Sequence, residues 1–286
     1  MPKTTAFDLS YAHALKTIMN AKPEINKRTG KLVKAIHGLA FNTGYMRPAS
    51  PAFPILSLRD IKPLWACAEA VWFLSGSDDP KWMAKFGFKV WDKFKDRHGK
   101  VKSATGWRWR QQFKVDQLEF AVHKLETDKT NRHAVLQAWD PDADVEKPGA
   151  NVPCLVTWHL HCIGQELHLS VLQRSADMYF GFPHDILGAR VVQELVAARL
   201  RMRVGSILYA ISNAHLYEDQ WPAAEEMMAR AEGPRSYDES VQDLSLTLND
   251  FNRAEMGDDT LPLELTALIS EFYDPWPPIT GPKIVL

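Results

Sequence analysis

The stretch VLQRSADMYFGFPHDILGAR, at residues 171–190, contains the point at which a strand pattern gives way to a helix pattern. Apolar residues alternate up to Val171, which predicts a strand, and the alternation ends at the sequence Gly-Phe-Pro. After Pro183 the apolar spacing fits a helix, and Asp185 is expected in its first turn, where the helix dipole favours a carboxylate. Side chains at such a junction are well placed to contact a ligand.

Polar and nucleophilic side chains are unusually dense in this stretch and just before it. They are Cys154, in the sequence NVPCLV, followed by Gln173, Arg174, Ser175, Asp177 and Asp185. A structural interpretation is open for each residue alone, since Arg174 and Asp177 could form a local ion pair and Asp185 could be only a helix cap. The density of the group favours a binding or catalytic site.

The composition is that of an ordinary globular protein without a general preference for charged partners. The 286 residues are 45% apolar and 24% charged, with a net charge of -1, so no general attraction to nucleic acid or membranes is expected. Three cysteines, and no apolar run near the length of a membrane span, predict reduced thiols in a cytoplasmic location. Because no linker or repeat interrupts the pattern, we expect a single domain over residues 1–286.

Helix and strand patterns are mixed along the chain. Helices are predicted over residues 1–22, 61–75, 81–95 and 116–126 and around Met227, and strands over 155–162, 206–217 and 243–248. The helix at 61–75 carries Glu69 among apolar residues. A carboxylate is costly there unless it is paired, so Glu69 is either a satisfied core acid or a catalytic acid with a raised pKa.

Three further patterns have weaker functional interpretations. The run GWRWRQQF at residues 106–113 alternates aromatic residues with arginine, as nucleic-acid stacking surfaces do, but it is short and the chain is neutral. His159, His161 and Cys162 could suggest zinc, although no second ligand pair has zinc-site spacing. Arg28, in the turn NKRTGK, could bind a phosphate or be a solvated basic residue.

Taken in order, the motifs resemble the thymidylate synthase family, including its pyrimidine hydroxymethylase branch. These motifs are the RTG turn at Arg28, the Pro-Cys pair at Cys154, the QRSAD run at 173–177, the HLY triplet at 215–217 and the Pro-rich tail. The resemblance implies an α+β subunit in which a large mixed sheet packs against helices and forms the interface of a homodimer. It also implies transfer of a one-carbon unit from 5,10-methylenetetrahydrofolate to C5 of a pyrimidine deoxynucleoside monophosphate, with no metal and no direct binding of nucleic acid.

The resemblance assigns roles to individual residues. Cys154 would be the nucleophile that adds to C6 of the base, and Glu69 would move protons with the help of ordered water. The nucleotide would be bound by Arg28, Arg132, His133, Gln173, Arg174, Ser175, Asp185, His215 and Tyr217, and folate by Arg59, Trp91, Asp177, Phe180, Gly181 and Leu286. Arg132 would reach across the dimer interface to the phosphate bound by the other subunit, and His215 and Tyr217 would hold the sugar 3′-hydroxyl.

The chemistry requires these residue types. C5 of a pyrimidine becomes nucleophilic only after a thiolate adds at C6, and a cysteine thiolate is both reactive and a good leaving group. A neighbouring Arg174 is expected to favour the thiolate. Guanidinium groups suit a phosphate dianion because they donate two parallel hydrogen bonds.

Asp185 stands where thymidylate synthases have Asn, and we count it with the catalytic residues. The Asn amide matches the N3 hydrogen and O4 of uracil. A carboxyl group instead accepts from the 4-amino group of cytosine and shares one proton with N3, which favours deoxycytidylate (dCMP), as in the deoxycytidylate hydroxymethylases. Three further departures, Thr105 for Tyr, His133 for Arg and Leu155 for His, indicate a retuned site without indicating its product.

The product depends on how the reaction ends. Addition of water gives 5-hydroxymethyl-dCMP, whereas hydride from the folate gives 5-methyl-dCMP and dihydrofolate. We expect hydroxymethylation; the alternatives are methylation, then ordinary thymidylate synthesis from dUMP, and outside the enzymes a catalytically silent nucleotide- or RNA-binding relative. A hydroxymethylase would suit a virus such as a phage, which could modify its DNA precursors in the host cytoplasm.

Overall fold

The computed structural model describes residues 4–46, 53–144, 152–233, 243–282 and residue 284. Its helices are α1 (Ala6–Met19), α2 (Thr43–Met46), α3 (Leu64–Ser75), α4 (Lys81–Lys85), α5 (Thr105–Trp107), α6 (Gln117–Thr127), α7 (Pro141–Asp144), α8 (Gly181–Leu200), α9 (Trp221–Ala231), α10 (Leu248–Met256) and α11 (Leu261–Ser270). Its strands are β1 (Glu24–Ile25), β2 (Leu32–Asn42), β3 (Val135–Gln137), β4 (Leu155–Ile163), β5 (Glu166–Gln173), β6 (Ala176–Asp177) and β7 (Arg203–Tyr217).

Within the described ranges, these strands form a mixed sheet in the order β1-β2-β7-β5-β4-β3, and β6 also pairs with β7. Strand β7 runs parallel to β5 and β6, and the remaining neighbours are antiparallel. A large mixed sheet with helices packed against it confirms the predicted α+β class. The prediction of a single domain over residues 1–286 stays a prediction.

The hydrophobic core lies between the sheet and the helices that cover one of its faces. Along β5, Leu167, Leu169 and Val171 are buried and alternate with more exposed residues, as the sequence pattern predicts. Helices α3 and α8 pack against each other on this side, and α8 also contacts β5 and β7. In the part of the chain that the structure describes, no helix has both the length and the apolar character that crossing a membrane requires.

A close approach at Gly106 brings α5 against α3. A Cβ atom at this position would lie 2.2 Å from the carbonyl oxygen of Phe73, far inside contact distance, so only glycine permits the approach. Thr105, the neighbour of Gly106, is thereby held in the wall of the cavity described below.

The predicted strand at residues 243–248 is wrong, because this segment leads into α10. The Thr247 side chain accepts from the backbone N–H of Asp250, and the Asp250 carboxylate accepts from the backbone N–H of Thr247 at 2.8 Å. This capping box fixes a helix start at Leu248. The alternation in DLSLTL therefore reflects a capped entry into a helix.

The predicted helix at residues 81–95 is also wrong as a continuous element. Helix α4 ends at Lys85, the backbone turns at Gly87 with φ of 87°, and a separate 3-10 turn covers Val90–Phe94. A positive φ is cheap only for glycine, so Gly87 permits the break.

Helix α8 begins at Gly181, so the expectation that Asp185 lies in the first turn after Pro183 is wrong. Proline is tolerated at Pro183 because a nitrogen in the first turn has no intrahelical acceptor. The turn before α8 is held by Asp177, whose Oδ1 accepts from the backbone N–H groups of Tyr179 and Phe180 at 2.8 and 2.9 Å. Asp185 is consequently in the second turn, where its side chain faces the cavity.

Candidate active site

A cavity of about 310 Å³ lies where the end of β5, the start of α8 and the middle of α3 meet. Much of its surface is aromatic or aliphatic and includes Trp65, Phe73, Trp91, Phe94 and Trp158. Its polar and nucleophilic lining includes Glu69, Cys154, Gln173, Ser175, Asp177, Asp185 and Tyr209. The cavity therefore joins an apolar wall, suited to flat rings, with a small set of reactive groups.

Strand pairing places Cys154 beside Arg174. Leu155 of β4 pairs with Gln173 of β5, and the backbone N–H of Arg174 donates to the Cys154 carbonyl at 2.8 Å. The guanidinium donates to the carbonyls of Pro153 and Val152, and its Nη2 lies 3.9 Å from the Cys154 sulfur. These contacts replace the Arg174–Asp177 ion pair considered as the structural alternative.

The Cys154 sulfur is open to the cavity but is surrounded by protein. Burial raises the pKa of the Cys154 thiol; Arg174 and then Arg28 lower it, while Asp185 raises it. Arg174 thus acts in the predicted direction, yet burial outweighs it in the unliganded protein. A base must therefore take the thiol proton for the sulfur to react as a thiolate.

Glu69 lines the cavity from α3 and is buried. Burial and then the neighbouring Asp185 raise the pKa of Glu69 to about 8, an effect that the indoles of Trp91 and Trp65 oppose without offsetting it. The carboxyl group is therefore mostly protonated at neutral pH. Of the two interpretations of Glu69, this position favours a catalytic acid over a core acid neutralised by a cation.

Asp185 faces the same cavity from α8. Burial raises the pKa of Asp185, a hydrogen bond from Gln173 lowers it, and the charge of Asp177 raises it again. The Gln173 Nε2 donates to Asp185 Oδ2 at 2.9 Å and to the Ser175 carbonyl at 3.1 Å. Gln173 is itself buried at the end of β5, so this amide is a fixed part of the cavity floor.

Other predicted nucleotide residues lie beside the cavity or away from it. Arg28 is exposed, but its charge lowers the pKa of Cys154 and contributes to lowering that of His215, so its guanidinium is close to both. The rings of His215 and Tyr217 meet edge to face at the end of β7, with centroids 5.3 Å apart. Arg132 and His133 are exposed in the loop before β3 and do not line the cavity.

Some of the predicted folate residues line the cavity and others do not. Trp91, Asp177, Phe180 and Gly181 line the cavity. Arg59 does not: it is buried with its guanidinium 4.4 Å from the centre of the Tyr179 ring and donates to the Tyr179 carbonyl. Leu286 lies outside the described residues.

Two alternative interpretations lose their support. The arginines of the GWRWRQQF run are engaged by carboxylates: Arg108 contacts Asp144 at 2.8 Å, and Arg110 contacts Asp116 at 2.9 Å. Trp109 is fully buried, so its indole is not accessible for stacking on a base. Across the described ranges, no group of three or more His, Cys, Asp or Glu side chains is arranged to hold a metal ion.

Several lining residues were missed by the sequence analysis. The clearest is Tyr209, which lies in the middle of β7 and reaches the cavity floor. The alternating pattern of SILYAIS marks this position as buried, but it carries no sign that the phenol contacts a reactive group. His184 also lines the cavity, and burial lowers its pKa to about 4.

The fold brings a thiol and carboxyl groups with raised pKa values to one cavity, with two arginines near the thiol, an arrangement suited to covalent group transfer on an anionic substrate. The family described as "Thymidylate synthase" matches residues 9–280, and the chain belongs to this family of folate-dependent one-carbon transferases. It is similar to a thymidylate synthase of Corynebacterium aurimucosum, with 24% identity over 240 residues that cover 82% of this chain and 86% of that protein. Family members use methylenetetrahydrofolate and a nucleotide monophosphate and are typically dimers.

The pKa of Glu69 predicts a pH dependence. The neutral form, which can donate a proton, predominates below pH 8, so kcat should fall as pH rises above about 8. Glu69→Gln should lower kcat about 10²–10⁴-fold and remove this alkaline limb. Steady-state rates measured from about pH 6 to about pH 9.5 test this. Glu255→Gln is the control, because Glu255 also has a pKa raised by burial but lies outside the cavity; an unchanged limb in Glu69→Gln would contradict the assignment.

Proposed function

We propose that the protein is a deoxycytidylate 5-hydroxymethyltransferase, which converts dCMP into 5-hydroxymethyl-dCMP with 5,10-methylenetetrahydrofolate as cosubstrate. The observation that carries the proposal is the carboxyl group of Asp185, which shares the cavity with Cys154 and has a raised pKa. Cys154, Glu69 and Asp185 are proposed as catalytic residues. The remaining residues named above are proposed to bind nucleotide or folate.

The neutral form of Asp185 is the form whose hydrogen-bonding groups match cytosine. Cytosine presents a 4-amino donor and an N3 acceptor, whereas uracil presents an O4 acceptor and an N3 donor. A neutral carboxyl group has one acceptor oxygen and one hydroxyl donor, which matches cytosine, while a carboxylate has acceptors only. Burial and Asp177 both favour the neutral form of Asp185.

Cys154 and Glu69 would divide the covalent chemistry between them. The Cys154 sulfur bonds to C6 of the base, which makes C5 nucleophilic toward the one-carbon unit supplied by methylenetetrahydrofolate. Glu69 moves protons in the apolar cavity, and the sulfur leaves C6 at the end as the double bond of the ring re-forms. Trp91, Phe180 and Asp177 offer a flat apolar wall with a carboxylate, which fits the pterin ring of a folate.

Closure of the site and its access to water would decide between hydroxymethyl and methyl products. Ile284 of the C-terminal segment lines the cavity, which is compatible with a tail that closes over bound ligands. Thr105 and Leu155, smaller or less polar than the Tyr and His usual at these positions, also line the wall. Methylation of dCMP, and then thymidylate synthesis from dUMP, are the alternatives within the family.

A homodimer formed through the sheet would complete the site. The sheet face opposite the helices exposes apolar side chains, with Leu172 39% and Leu208 42% accessible. A second copy of this face is a suitable cover for them. Arg132, exposed and away from the cavity of its own subunit, would reach the phosphate bound by the other.

The product assay separates the candidate reactions. Purified protein is incubated with methylenetetrahydrofolate and equimolar dCMP and dUMP, and nucleotides are weighed by mass spectrometry while dihydrofolate is followed by absorbance. We expect 5-hydroxymethyl-dCMP without dihydrofolate. Stoichiometric dihydrofolate would establish methylation instead, and no covalent change in either nucleotide would favour the silent relative.

The base-reading role of Asp185 predicts a switch of substrate. Asp185→Asn should move the ratio of kcat/KM for dCMP over dUMP toward dUMP by about 10²–10⁴-fold, because the amide matches uracil. Phe180→Leu is the control, since it alters the wall of the same cavity on the proposed folate side without changing a charge near Asp185. It should lower activity with both nucleotides and leave their ratio unchanged. Retention of dCMP preference in Asp185→Asn would refute the pairing argument.

Subunit mixing tests the proposed role of Arg132. Arg132→Ala and Cys154→Ala subunits, each nearly inactive alone at low dCMP, are co-expressed in equal amounts with different tags. About half of the dimers are then mixed, and one of their two sites has an intact Cys154 and an intact Arg132 from the other subunit, so about a quarter of wild-type activity should return. Cys154→Ala mixed with Glu69→Gln is the control, because these two residues serve the same subunit's site. Absence of recovery in the first mixture would exclude a shared site.

A further inference from the structure

We propose that Tyr209 is a positioning residue that selects cytosine over uracil by fixing the hydrogen bonding of Asp185, a proposal that rests on the proposed function. Tyr209 is buried in β7 and lines the cavity that contains Asp185 and Cys154. Its hydroxyl donates to Oε1 of Gln173. Gln173 in turn donates to Asp185, so three side chains from β7, β5 and α8 form one directed chain.

The direction of this chain is fixed by the groups around Gln173. Its Nε2 lies 3.1 Å from the Ser175 carbonyl, which can only accept a hydrogen bond, so the amide nitrogen must face this side. The same nitrogen lies 2.9 Å from Asp185 Oδ2 and donates to it. The amide oxygen therefore faces Tyr209, whose phenol supplies the donor that a buried carbonyl requires.

Tyr209 is held as a donor by its surroundings. Burial raises the pKa of Tyr209 well above its ordinary value, and ionisation of Asp185, Cys154 or Glu69 would raise it further. The phenol is thus protonated throughout the pH range in which the enzyme could work. The ring packs edge to face against Phe182 with centroids 5.3 Å apart, which restrains the position of the hydroxyl.

This arrangement assigns separate tasks to the two oxygens of Asp185. Because Oδ2 accepts from Gln173, it is the unprotonated oxygen of the neutral acid, and the proton belongs on Oδ1. Oδ2 can then accept from the 4-amino group of cytosine while the Oδ1 hydroxyl donates to N3. Uracil needs the opposite polarity at the same two positions, and a proton on Oδ2 would confront the N–H of Gln173. The chain from Tyr209 therefore disfavours uracil without touching the base.

The test is Tyr209→Phe, which keeps the ring and removes the hydroxyl. Leaving the Gln173 carbonyl without its donor should loosen the amide and lower kcat/KM for dCMP about 10–100-fold, mainly through KM, with little change for dUMP. Tyr11→Phe is the control. Tyr11 is equally buried and donates to the Met178 carbonyl, so this variant loses a comparable hydrogen bond but should keep the dCMP/dUMP ratio.

A double variant shows whether Tyr209 acts through Asp185. In the Asp185→Asn background, Tyr209→Phe should no longer change the ratio of kcat/KM for dCMP over dUMP, because the carboxyl group that it orients is gone. Gln173→Glu interrupts the chain at its middle and should also lower the ratio, which keeps the proposal testable if Tyr209→Phe does not fold. Preference of the wild-type protein for dUMP would refute the proposed function itself. If the wild type prefers dCMP, an unchanged ratio in Tyr209→Phe would overturn the role of Tyr209. If Tyr209→Phe does not fold, an unchanged ratio in Gln173→Glu would do so instead.

Discussion

The antiparallel pairing of β4 with β5 is the constraint on which the site depends. The pair Leu155 and Gln173, with the backbone hydrogen bond between Arg174 and Cys154, sets the sulfur beside a guanidinium and directs Gln173 into the cavity. A slip of one residue would turn every side chain of a strand to the opposite face of the sheet. The buried residues Leu167, Leu169 and Val171 prevent such a slip, because it would exchange them for polar neighbours.

Burial then determines the protonation of the groups that this register assembles. The pKa values of Cys154, Glu69, Asp185 and Tyr209 are all raised, and burial is the largest cause for each. Burial in such a cavity favours the neutral forms of these groups. An anionic ligand held by Arg28 and Arg174 would offset the charges that lower the pKa of Cys154, so a base would have to take the thiol proton.

The sequence was sufficient for the strand-to-helix junction, the residues that meet around Cys154 and the α+β class, because local periodicity and motif order report these features directly. The sequence is insufficient where one local pattern fits two kinds of secondary structure. The apolar spacing places Pro183 before the helix, although proline fits the first turn equally well. DLSLTL alternates like a strand, but the capping box of Thr247 and Asp250 makes it a helix entry.

Long-range pairing was the other limit of the sequence. Arg108 and Arg110 resemble a basic surface until the fold brings Asp144 and Glu255 to them, and local sequence contains no trace of these partners. The role of Tyr209 is also not visible in the local sequence, because its hydrogen-bond acceptor lies 36 residues earlier in the chain. Polar partners of buried residues are set by the tertiary fold, so substrate selection could not be assigned fully from motifs.

The groups that would read the base and those that would bind folate belong to different parts of the fold. Gln173 and Tyr209 project from the central strands, and Asp185 projects from a long buried helix. Packing of the core therefore fixes the positions of these side chains. Trp91 lies in a short 3-10 turn and Phe180 in the turn before α8. An Asn-to-Asp difference at position 185 changes hydrogen-bond polarity while keeping side-chain shape, and it therefore requires no adjustment of the folate wall. A change of base preference at position 185 is therefore compatible with an unchanged folate wall, although the charge of Asp177 couples the two sides through the pKa of Asp185.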